Sequence, residues 1–164
     1  MRDMPMLKWL WLAVLALLLD QASKLTVANT MQLYQSIELI PFFKLTYVHN
    51  TGAAFSFLSQ AGGWQRWFFS GLAVAISIVI TVWITRLQKH EYLLAAALSL
   101  ILGGAVGNLI DRLLYGYVID FLDVYYNTYH WPAFNIADSA ITIGVGLMLL
   151  ESFGVGKKPL NDHD

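Results

Sequence analysis

Four stretches of the chain are apolar for about the length that a bilayer core requires, roughly 20 residues each. They run over residues 7–22, 67–85, 92–109 and 134–153. The apolar run inside the first, Trp9 to Leu19, follows Arg2 and Lys8 and has the form of a secretory leader core, but "DQASK" comes after it in place of a small-residue cleavage site, so it reads as a retained span. The outer segments differ in pattern. "FFKLTYVHN" (42–50) partly alternates and is rich in aromatic and β-branched residues; Thr51-Gly52 is a turn signal and "AAFSFL" follows. Two or three short strands are expected there. The predicted fold class is an all-α membrane protein, four transmembrane helices in one domain over residues 1–164, with a small β-rich extracytoplasmic cradle.

Composition agrees with that pattern. The chain is 57% hydrophobic and 13% charged, against about 25% charged in an ordinary soluble domain. The formal net charge of -1 argues against nucleic acid as a partner. Without cysteine, thiolate zinc sites, thiol nucleophiles and disulfides are excluded. Basic residues set an orientation: Arg2, Lys8, Arg86, Lys89, Lys157 and Lys158 fall in the two tails and the loop after the second span, while Lys24, Lys44, Arg66 and Arg112 fall in the two other loops. By the positive-inside rule both termini are cytoplasmic, and the loops over 23–66 and 110–133 face outward. Trp64, Trp67, Tyr125, Tyr126, Tyr129 and Trp131 then fall near the outer interface, as an aromatic belt.

Acidic residues are the anomaly. On this topology Asp20, Asp111 and Asp138 lie at the outward ends of three spans, and Asp120 and Asp123 lie in the loop joining the last two. Charges at membrane depth are expensive and usually face a bundle interior or a wet cavity. Capping accounts for part of this: Asn135 suits an N-cap, and Asp138 three residues later suits the positive end of a helix. It does not account for Asp20 and Asp111, which this reading puts at C-terminal helix ends. Spacing puts Asn108, Asp111 and Arg112 on one helix face, so Arg112 is expected to pair with Asp111, and Lys24 with Asp20. Gly103 and Gly107 form a small-xxx-small pair for close helix approach. Asp120 and Asp138 have no basic residue within four positions, which leaves them available for chemistry.

Two carboxyl groups that share one proton can activate water with one member and protonate a leaving amine with the other. That chemistry needs no metal and no cofactor. The rivals are weaker. No H-E-x-x-H occurs, and His49, His90, His130 and His163 are scattered. Ser23 and Lys24 are adjacent, so they do not share a helix face as a Ser–Lys dyad. A small ion-coupled transporter would need a polar path through both faces, whereas the second span offers only Ser70, Ser77 and Thr81, and the inner halves of the spans hold no acid except Glu151.

Four pieces in order, "DQASK" (20–24), "HNTGAAFS" (49–56), "GGAVGNLIDRLLYGYVIDF" (103–121) and "FNIADS" (134–139), resemble the lipoprotein signal peptidase (signal peptidase II) family of bacteria. The resemblance runs from about Leu12 to Glu151. It implies a membrane aspartic endopeptidase of the inner membrane with its site on the periplasmic side. Its V-x-D and F-N-x-A-D motifs map the catalytic pair to Asp120 and Asp138, with Asp20, Lys24, Asn50, Gly52, Asn108, Asp111, Arg112 and Asn135 as substrate-binding or supporting residues. The implied substrates are prolipoproteins cleaved before a diacylglyceryl cysteine, in contact with membrane lipid, and globomycin-type inhibitors are expected to bind.

Overall fold

A computed structural model describes residues 6–52 and 63–155. After a 3-10 turn at Leu7–Trp9, the elements are α1 (Leu10–Thr30), β1 (Ser36–Ile40), β2 (Phe43–Asn50), α2 (Trp64–Arg86), α3 (Tyr92–Leu114), β3 (Val118–Tyr126), β4 (Tyr129–His130) and α4 (Ile136–Ser152). Among the described residues, three stretches are long and apolar enough to cross a membrane: Leu7–Thr30, Trp64–Arg86 and Tyr92–Leu114.

α1 runs well past residue 22, where its apolar pattern stops. Its buried residues are Ala13, Ala16, Asp20, Lys24 and Val27, a single stripe at steps of three and four. The polar part of that stripe is buried rather than solvated, so the helix continues. Beyond it Val27, with Met31 just after the helix, packs with Tyr47, Ile119 and Phe121 under the sheet. α3 likewise continues to Leu114, and Asp111 and Arg112 are therefore helical rather than loop residues. This corrects the placement of Asp20 at a helix end, whereas Asp111 stays in the last turn of α3. Asp20 is deep inside α1, where the terminal dipole does not reach.

α3 is the central helix and packs against α1, α2 and α4. Glycine makes the approach close. A Cβ on Gly103 would lie 2.5 Å from the Ala13 carbonyl oxygen of α1, and one on Gly104 would collide with the Ala137 carbonyl of α4. Away from the sheet, Met6, Ile80, Ile84, Leu87, Leu94 and Leu98 close the bundle in an apolar cluster.

The four strands form one antiparallel sheet in the order β1-β2-β3-β4. The expected strand at 42–50 is β2; "AAFSFL" lies outside the described residues. β3 was not expected, because "VIDFLDVYY" carries its two acids three residues apart, which breaks the two-residue alternation that marks a strand. It is held by β2, with Val48 opposite Asp120 and Asn50 opposite Val118. Pairing of the two outer segments carries Asp120 to the bundle.

Candidate active site

The site begins with a cation. Lys24 is 1% exposed, and its ammonium lies 2.8 Å from Asp20 Oδ2, 2.9 Å from Asp111 Oδ2 and 3.0 Å from Asn108 Oδ1. An ammonium has three donors, and all three are used. Burying three charges is costly unless each is compensated in this way. Asp20 also accepts from the Ala137 backbone N–H at 2.9 Å, and Asp111 from the Ile119 N–H at 3.1 Å. The ionic knot thus ties α1 to α3, to the start of β3 and to the start of α4. The expected Asp20–Lys24 pair forms. Asp111 pairs with Lys24 rather than Arg112, because Lys24 reaches it across the α1–α3 contact, while Arg112 turns to the Asn108 and Gly52 carbonyls at 3.3 and 3.2 Å. Gly107 serves this knot as well as helix approach, since a Cβ there would sit 2.6 Å from Asp20 Oδ2.

Two asparagines extend the knot. Asn108 Oδ1 accepts from Lys24, so its amide nitrogen donates to Asp138 Oδ1, at 2.7 Å. Asn135 caps α4: its oxygen accepts from the Asp138 N–H at 2.9 Å, and its own N–H donates to Asp138 Oδ2 at 3.4 Å, a reciprocal capping box. Its amide nitrogen then donates to Asp120 Oδ1 at 2.7 Å. One fully buried side chain therefore sits between Asp120 and Asp138. The other Asp120 oxygen accepts from Asn50 Nδ2 at 2.9 Å, and the Asn50 oxygen is held by the Gly52 N–H at 3.0 Å.

Asp120 is 1% exposed, whereas Asp138 is only part-buried. Burial, and then the neighbouring Asp138 charge, push the Asp120 carboxyl up to about 7, against the pull of the Asn50 and Asn135 hydrogen bonds. A cavity of about 560 Å³ opens at Asp138, lined by that residue, by Asn50, Gly52, Asn108 and Arg112, by Trp131 to Phe134, and by Ser139 and Ile141 to Ile143 of α4. All ten residues singled out in the sequence take part in this connected network. No group of histidines and acids able to hold a metal occurs among the described residues.

Other contributors carried no sequence signal strong enough to single them out. Gln21 donates to Asp111 Oδ1 at 3.0 Å and reaches the Gly107 carbonyl at 3.3 Å; its place inside "DQASK" was the available clue. Asp123 holds His130 Nδ1 at 2.8 Å and the Thr46 hydroxyl at 2.9 Å, staking β4 to the sheet. Phe134 bonds to Phe121 and Leu122 through its backbone, which places the cavity wall. These depend on pairings between distant segments.

Fold and site together define a membrane-embedded enzyme with a buried acidic centre at one end of a helical bundle. A family model for signal peptidase (SPase) II matches residues 12–154. The lipoprotein signal peptidase of Alteromonas mediterranea is 59% identical over 157 residues, 96% of this chain and 86% of that one. That of Shewanella pealeana is 56% identical over 151 residues, covering 92% and 89%. A solved bacterial membrane enzyme superposes with a TM-score of 0.81 at 35% identity, covering 93% of this chain and 92% of its own. The chain belongs to the signal peptidase II family, and it is a peptidase. The carrier reading is set aside.

Proposed function

We propose that this protein is an aspartic endopeptidase that removes signal peptides from prolipoproteins, cutting before a diacylglyceryl-modified cysteine, with Asp120 and Asp138 as the catalytic pair. The observation that carries it is the Asn135 side chain, which donates to the Asp120 carboxylate and accepts from the Asp138 N–H beside a cavity that Asp138 lines. At neutral pH one carboxyl of such a pair holds a proton and the other does not. The ionised member takes a proton from water as it attacks the scissile carbonyl. The protonated member gives its proton to the departing amine, and each carboxyl ends in the other's starting state. Arg112, part-buried at the cavity wall with its Nη atoms on the Asn108 and Gly52 carbonyls, and Asn50 are suited to position the substrate backbone. Asp20, Lys24, Asp111, Asn108 and Asn135 act as support that keeps the pair in register.

In this reading residues 1–164 are one domain with four spans. α4, at 17 residues and so about 26 Å of helix, completes the bundle beside α3. Both termini are cytoplasmic and the site faces the periplasm across the inner membrane. The apolar walls beside Ile141 and Ile143 suit the lipid chains and the signal-peptide helix, and globomycin-type inhibitors would compete there.

The test uses a lipidated lipobox peptide with purified enzyme. Asp120→Asn and Asp138→Asn should each lose at least about 10³-fold in kcat/KM while accumulating in the membrane, the scale of a lost acid–base group. Substantial turnover by either variant would reject the pair, and globomycin should inhibit the native enzyme.

A further inference from the structure

A second concavity, of about 420 Å³, lies at the far end of the sheet, lined by Phe42, Val124, Tyr126, Tyr129, His130 and Trp131 among others. Its rings are unusually bare: Tyr129 is 80% exposed, Tyr126 65%, Trp131 61% and Phe42 56%. Trp131 also lines the cavity beside Asp138, so the two hollows share a wall. The groove also carries charged and titratable groups beside its rings. Lys44 Nζ lies 5.0 Å over the Tyr125 ring, and His130, bonded to Asp123, stacks on the same ring at 5.6 Å.

We propose that this aromatic groove is a subsite for the mature side of the substrate, the extended peptide that follows the lipidated cysteine. The inference rests on the peptidase reading above. Strand geometry sets the reach: from Asp120 to Val124 along β3 is roughly 13 Å and to Tyr126 roughly 20 Å, at about 3.3 Å per residue. The fourth to sixth residues beyond the cleaved bond would therefore arrive at the groove. β4 is an edge strand, and edges accept extended peptide through backbone hydrogen bonds. Tyrosine rings offer flat contact area with a polar tip, suited to a peptide of varied sequence. With the lipid and the signal-peptide end in the first hollow, as proposed above, Trp131, which lines both hollows, marks a continuous path for the remaining chain.

Two lipidated peptides test this, one ending directly after the cysteine and one extending about eight residues beyond it, each with native enzyme and with Tyr126→Ala/Tyr129→Ala. Expected is a KM about 5-fold lower for the longer peptide in the native enzyme, with that advantage erased in the variant. Equal KM values for both peptides in the native enzyme would overturn the subsite. So would a variant that impairs both peptides alike, which would mark the rings as membrane anchors. Failure of the native enzyme to cut either peptide would sink the peptidase reading and the subsite with it, whereas cleavage without a length effect would sink the subsite alone.

Discussion

Asn135 does three jobs with one amide: it caps α4, fixes the backbone of Asp138 and holds Asp120. A carboxyl so placed has a stability consequence. Asp120 is raised from 3.8 to about 7 in the folded protein, mainly by burial. Between those values the folded state keeps a proton that the unfolded chain has released. Its contribution is thus fully present below pH about 4 and is lost as pH rises through about 7. Thermal unfolding in detergent should show the native protein losing more melting temperature between pH 5 and pH 8 than Asp120→Asn. Lys24 presents the opposite case. Lys24→Met would leave Asp20 and Asp111 buried without their cation, an expected loss of about 3–5 kcal/mol, and the melting temperature should fall sharply even in the presence of substrate.

At the scale of elements, the close crossing of α3 with its neighbours decides whether the site assembles. The stripe Ala137, Ala140, Gly144 of α4 faces α3, and a Cβ on Gly144 would lie 2.7 Å from the Ala97 carbonyl oxygen. Gly104→Val should therefore cost about 1–3 kcal/mol or more by overpacking, read as a lowered melting temperature with parallel loss of activity. Gly71→Ala on α2 is the control: its Cβ would meet nothing within 4 Å, and the exchange should be neutral or slightly stabilising. Helix existence was legible from apolar runs alone. Helix ends were not, because α1 and α3 continue through polar residues whose burial depends on partners elsewhere in the chain.

For the whole molecule, the orientation can be read directly, since the chain has no cysteine to confuse a labelling experiment. Glu38 in β1 and Lys89 in the loop between α2 and α3 are both exposed. In intact spheroplasts an impermeant maleimide should label Glu38→Cys, and label Lys89→Cys only after permeabilisation. The reverse pattern would invert the proposed topology and put the acidic centre on the cytoplasmic side.

Apolar run length, basic-residue bias and the ordered polar motifs are local properties, and they sufficed for a membrane protein, for its family and for most residues of the polar network, Gln21 excepted. Local spacing even proposed the Asp20–Lys24 pair correctly, because helix geometry puts residues four apart on one face. It failed for Asp111, which has two cations within reach and is claimed by the one on another helix. The strand β3, the partner of Asp111 and the meeting of Asp120 with Asn135 were decided only by tertiary structure. Each is a contact between segments far apart in the chain, and its energy exists only once packing has removed the water between them.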